Sequence, residues 1–317
     1  MTRFGRRGTT SAGAVGVLAA VISLVLINGA NATAPKPPNV PNARSGGVAN
    51  AGFGPAGPGS TASPNTVSAN TAPPVGYPII GVDVSSWQGT VDWVKVAKTA
   101  KFAYVKATEG TTYVSATFAA QYSGAKAAGL FTGAYAFARP NTPAVAQADY
   151  FLDHAKVASD GKTLPPMLDL EWPYKLNGAY VAPYPCYGLS ATAMVAWIRA
   201  FVAEVRRRTG SPTLIYTTAN WWNQCTGNTT TFTDQPLDVA SFSSTPPTAL
   251  PTSWSTWSIW QYAASGALPG DQDVFNGTLT QLKGMTVGHC SVYGRQSYGW
   301  CPGALQVPPT LRRLPHA

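Results

Sequence analysis

The chain of 317 residues is 45% hydrophobic and 11% charged, enough apolar material for one large core or two modest ones, so a wholly disordered polypeptide is excluded. Lysine and arginine number 22 against 13 acids, and the net charge of +9 falls to +6 if Arg3, Arg6 and Arg7 leave with a leader. That excess favours approach to polyanions, acidic wall polymers among them, without selecting one.

Those three arginines precede an uncharged run from Ser11 to Ile27, and Ala30-Asn31-Ala32 then offers small residues at the positions a signal peptidase reads. Residues 1–32 are therefore expected to be a signal peptide of an exported protein, with no stable membrane span left after cleavage. Residues 33–75 are mostly Pro, Ala, Gly, Asn, Ser and Thr, with almost no charge and one aromatic, Phe53, and read as a flexible tether. Residues 76–283 hold the expected catalytic domain, and residues 284–317 a cysteine-containing extension. Four cysteines in an exported chain suggest two disulfides, and proximity alone favours Cys186 with Cys225 and Cys290 with Cys301 among three connectivities. The absence of a Cys-x-x-Cys pair near histidines argues against a zinc site.

Within the domain, β-branched Ile79–Val84 reads as a buried strand, and Asp92 opens a helical stretch as its N-terminal residue. A strand over Phe102–Ala107 follows, then a helix near Thr117–Ala128 stopped by Gly129, a strand over Phe131–Phe137 and a helix around Pro143–His154. Met167–Leu170 is the fourth strand. Ser190 caps the next helix, which carries Met194, Ile198, Phe201 and Val205 on one face and ends at Gly210. Leu214–Thr217 is the fifth strand, after which Leu237–Phe242, Ser258–Tyr262 and a strand around Val274 follow with only loops between them. About eight parallel strands with crossover helices predict an irregular (β/α) barrel of TIM type whose last third lacks helices. A doubly wound sheet is disfavoured, because no Gly-x-Gly-x-x-Gly follows the first strand.

Three histidines, His154, His289 and His316, leave little for a histidine triad, and neither a Gly-x-Ser-x-Gly elbow nor a phosphate loop is present. Carboxylates remain. In Leu168-Asp169-Leu170-Glu171-Trp172 the two acids lie two residues apart at a strand end, on one side, about 6–7 Å apart at Cα. Sharing a pocket, they cannot easily both ionise. The apolar neighbour Trp172 favours Glu171 as the proton holder and Asp169 as the charged partner, the division of labour that glycoside hydrolysis needs. Asp83 lies inside an apolar strand, where a lone carboxylate is costly, and Asp271 and Asp273 alternate on the last strand. Aromatics fall at strand ends or just after them, where they can stack on sugars or pack the core: Trp87, Tyr135, Phe137, Trp172, Tyr216, Trp221, Trp222, Trp260 and Tyr262. Lys106 and Glu109 at the second strand's end form either a pair or a substrate clamp.

Taken together and in order, these motifs resemble glycoside hydrolase family 25, the lysozymes that cut peptidoglycan between N-acetylmuramic acid and N-acetylglucosamine. The likeness runs from about Gly76 to Lys283 through Gly81-Val82-Asp83-Val84-Ser85-Ser86-Trp87-Gln88-Gly89, Val105-Lys106-Ala107-Thr108-Glu109-Gly110, Gly133-Ala134-Tyr135-Ala136-Phe137, Leu168-Asp169-Leu170-Glu171, Ile215-Tyr216-Thr217, Trp260-Gln261-Tyr262 and Asp271-Gln272-Asp273-Val274-Phe275-Asn276-Gly277. The resemblance implies Glu171 as general acid, Asp169 as a stabiliser of positive charge or an orienter of the acetamido group, and Asp83 and Asp271 completing an acidic cleft. It also implies retention of configuration, with Trp87, Lys106, Glu109, Tyr135, Phe137, Tyr216, Trp260 and Asp273 at the substrate. No metal, cofactor or nucleic acid is implied, and a monomer acting on glycan strands is expected. Two positions depart from the pattern: Ala136 replaces a frequent histidine, suggesting a lost substrate contact, and Asp238 stands where an apolar aromatic is common. A chitinase-like reading would need acids at Leu164 and Met167. The remaining alternative is an inert glycan-binding barrel.

Overall fold

A computed structural model describes residues 72–288, so the leader, nearly all of the tether and the Cys290–Cys301 pair lie outside the described residues. Strand β1 (Ile80–Val84) leads through a 3-10 turn at Ser86–Gln88 to the short helix α1 (Trp93–Val96), where the Asp92 carboxylate accepts the Lys95 amide as a cap. Then come β2 (Phe102–Glu109), β3 (Tyr113–Val114), α2 (Phe118–Ala127), β4 (Phe131–Phe137), α3 (Ala144–His154) and β5 (Met167–Asp169). A two-stranded hairpin, β6 (Lys175–Leu176) and β7 (Ala179–Tyr180), turns at Asn177-Gly178, both with positive φ as a tight hairpin requires. Helix α4 (Ala191–Thr209) has Ser190 as its N-cap and Gly210 in the left-handed conformation at its end, as its sequence predicts. Strand β8 (Leu214–Thr217), helix α5 (Ala219–Thr226), β9 (Leu237–Ala240), β10 (Ile259–Ala263), β11 (Asp271–Phe275) and α6 (Leu279–Gly284) complete the described chain.

The strands run in the order β1-β11-β10-β9-β8-β5-β4-β2, and β1 pairs with β2, which closes eight strands into a barrel; β3 is an appendage on β2. Two expectations are corrected here. Strand β11 is antiparallel to both β1 and β10, whereas uniformly parallel strands were expected. Helix α5 fills what was expected to be a bare loop after β8, and it carries Trp221 and Trp222, just past the strand end, into the core.

Period-two alternation sorts the strand residues into two cores. Val82, Val105, Ala134, Leu168, Ile215 and Trp260 face the helices, whereas Phe102, Tyr104, Phe131, Met167, Leu214 and Ile259 fill the barrel interior. Two glycines make room for that filling. A Cβ on Gly81 would lie 2.2 Å from the Phe102 ring and one on Gly133 2.1 Å from the Tyr104 ring, so the bulky residues of β2 lean over bare backbone on either side. Because β11 runs backwards, it ends at the floor of the barrel, and α6 there contributes Leu282 to the same interior cluster. The other end, at the C-termini of the parallel strands, is left to the polar side chains.

The disulfide Cys186–Cys225 is formed, as proximity predicted. It joins the long segment between β5 and α4 to helix α5, closing a chain separation of 39 residues.

Candidate active site

Asp83 on β1 and Asp271 on β11 are direct cross-strand partners, and both are buried. Two carboxylates so placed repel if both ionise. Gln261 of β10 holds them: its Nε2 donates to Asp83 Oδ2 at 2.7 Å and to Asp271 Oδ2 at 3.4 Å, while its Oε1 accepts the Tyr216 hydroxyl at 2.9 Å. Burial nevertheless pushes Asp83 up to about 7, against the pull of the Gln261 amide. Asp271 is pushed well above the usual carboxylate range, by burial first and by the neighbouring Asp83 next.

Because the folded pKa of Asp83 exceeds its unfolded value, the native state binds the extra proton, and the stability it contributes falls as pH rises from about 4 through about 7. Asp83→Asn keeps an acceptor for Gln261 but has no charge to desolvate. At pH 8 the variant should be more stable than the parent, by an amount on the order of a few kcal/mol, and the gap should narrow toward pH 4. Thermal unfolding at the two pH values checks this, and a variant less stable at pH 8 would contradict it.

Asp169 ends β5, and Glu171 follows two residues later, partly exposed beside the buried Trp172. Burial opposes the charge expected on Asp169. Only 2% exposed and with Oδ1 unpartnered among the described residues, its carboxyl is pushed well up by burial and then by Glu171, with Lys106 opposing. Desolvation outweighs the cation because Lys106 is already committed elsewhere: its Nζ lies 2.7 Å from Glu109 Oε2. Burial also works against charge on Glu109, but Lys106 and Arg139 together outweigh it and hold this acid below its ordinary range. Arg139 Nε and Nη2 both donate to Glu109 Oε1, and Nη2 also donates to the Tyr174 hydroxyl at 2.9 Å. Lys106 and Glu109 are thus a buried ion pair, the first of the two expected roles.

The remaining expected contacts divide. Trp87, half exposed in the turn after β1, stands on the same rim. Tyr135 and Tyr216 belong to the barrel interior, and Phe137 lies beneath Lys106, whose Nζ is 4.6 Å from its ring centroid. Asp273 and Asp238 are interior and buried, each with one unpartnered oxygen among the described residues, and burial pushes both well up. Trp260 is not brought to the acids: it is fully buried in the outer core, its indole N–H donating to the Ser241 carbonyl. Alternation explains the miss, since Gln261 takes the inward position between Trp260 and Tyr262. Ala136 likewise faces the helix layer, so its side chain removes no contact from the cleft. Residues the sequence reading passed over are Gln261, Arg139 and Tyr174; a lone amide amid strand aromatics was the available signal for the first.

The family described as Glycosyl hydrolases family 25 matches residues 82–271. Lysozyme M1 of Streptomyces globisporus is 40% identical over 211 residues, 64% of this chain and 69% of that protein. An N,O-diacetylmuramidase of Arthroderma benhamiae is 44% identical over 206 residues, 64% of this chain and 84% of that one. The structure of a family GH25 lysozyme from Aspergillus fumigatus superposes with a TM-score of 0.62 at 45% identity, covering 66% of this chain and 99% of the other.

Proposed function

The chain belongs to glycosyl hydrolase family 25, and from that premise we propose a secreted muramidase that cuts the β-1,4 bond between N-acetylmuramic acid and N-acetylglucosamine in bacterial peptidoglycan with retention of configuration. The observation that carries the reading is the convergence of Asp83, Asp271, Asp169 and Glu171 from three strands at one open rim, over a filled interior. Glu171, the most exposed of the four, delivers a proton to the departing sugar oxygen. Positive charge then grows at the anomeric carbon, and the desolvated Asp169 faces it. A substrate hydroxyl or amide N–H donating to Asp169 favours its ionised form, against the desolvation that opposes it. Asp83 and Asp271, spanned by Gln261, extend the acidic wall. Sugar stacking falls to Trp87 at the rim.

The reading is tested by mass spectrometry of soluble fragments released from purified peptidoglycan by the mature chain. Fragments ending in reducing N-acetylmuramic acid, their β configuration seen first by NMR, are the expected result. Reducing N-acetylglucosamine ends would overturn the bond assignment, and binding without release would leave the inert glycan-binding barrel.

A further inference from the structure

Beside the acids lies a cavity of about 330 Å³ that the chemistry above leaves unused. Its lining includes Glu109, Arg139 and Tyr174, with Thr111, Thr112 and Asn141 as polar wall. Its place relative to the reacting bond follows from the sheet. Glu109 pairs with Phe137 and Phe137 with Asp169, so the pocket opens two strand spacings, about 10 Å, to the side of Asp169. Of the charged groups, Glu109 and Arg139 line the cavity, and the fully buried Lys106 stands behind Glu109, so the three-residue cluster carries one positive charge in excess. Among the described residues Nη1 of Arg139 makes no hydrogen bond, and the side chain keeps 15% of its surface exposed.

Nη1 is the one guanidinium nitrogen left to donate, and a carboxylate accepting from it adds charge to a hydrogen bond that a neutral sugar hydroxyl makes without it. The carboxylates of peptidoglycan belong to the peptide branch, or to the lactyl group of a muramic acid from which the peptide is missing. Resting on the proposed substrate, we propose that this pocket receives a carboxylate of the lactyl–peptide branch, with Arg139 as its anchor. The pocket thereby distinguishes muramic acid from N-acetylglucosamine at one position in the cleft.

The test is calorimetric titration of the mature chain and two variants with three probes: N-acetylmuramoyl-L-alanyl-D-isoglutamine, N-acetylmuramic acid and the N-acetylglucosamine trimer. Asn141→Trp fills the cavity from its exposed wall, and Arg139→Lys keeps the charge while losing the free Nη1 donor. The expected result is about tenfold weaker binding of a carboxylate probe to Asn141→Trp, and a smaller loss for Arg139→Lys, relative to any change for the trimer. A loss with the peptide probe alone assigns the peptide carboxylate, a loss with N-acetylmuramic acid alone assigns the lactyl carboxylate, which the peptide probe carries as an amide, and a loss with both shows that the pocket accepts either. Equal changes for all three probes, or none, overturn the proposal. Fragment release is read separately, so a protein that binds these probes selectively without cutting peptidoglycan refutes the proposed activity and leaves the pocket standing.

Discussion

Glu171→Gln should lose about 10³-fold in kcat, the scale of a removed general acid, while still binding peptidoglycan. The amide has nearly the volume of the acid but no proton to deliver. Because Glu171 lies beyond the end of β5 at the rim rather than in the packed interior, the exchange disturbs little of the fold. The rate of reducing-end release, compared with the amount of protein that sediments with insoluble wall, separates chemistry from adhesion. Turnover equal to that of the parent would remove Glu171 from the acid role.

Asp169→Asn should cost about 10²-fold in kcat, as expected for the loss of one preorganised electrostatic partner of the transition state. This substitution has an unusual second signature. Burial raises the folded pKa of Asp169 above the unfolded value, so ionisation weakens the folded state as pH rises past the ordinary carboxylate range. Asparagine cannot ionise, and the variant should therefore match or exceed the parent in Tm at pH 8 while being slower. A slower and less stable protein would instead mark Asp169 as a structural residue, and activity within twofold of the parent would exclude it from catalysis.

Much of the barrel was legible because its parts obey simple periodicities. Strand β4 and helix α4 carry their own boundaries, the latter through Ser190 and Gly210. What stayed hidden has a common physical origin. A pattern of apolar positions does not encode strand direction, so the reversal of β11 could not be read from Asp271-Gln272-Asp273-Val274-Phe275. Helix α5, with two tryptophans, two asparagines and a cysteine in eight residues, is a poor intrinsic helix former, held by packing and by its caps at Thr218 and Gly227. The candidate acids were visible because carboxylates are rare in strands. Their charge states were not: these depend on how much water reaches each group, and the sequence does not specify that. The same holds for Arg139, which reads as an ordinary polar residue until Glu109 and Tyr174 are folded against it.

The backward course of β11 has a consequence for how a polymer can meet this protein. A strand that begins with Asp271 at the rim and ends beside α6 brings an acid to one mouth of the barrel and a stopper to the other. Beneath the acids the barrel is packed solid rather than hollow. A glycan chain therefore cannot be threaded through it, and reaches the acids from the open face alone.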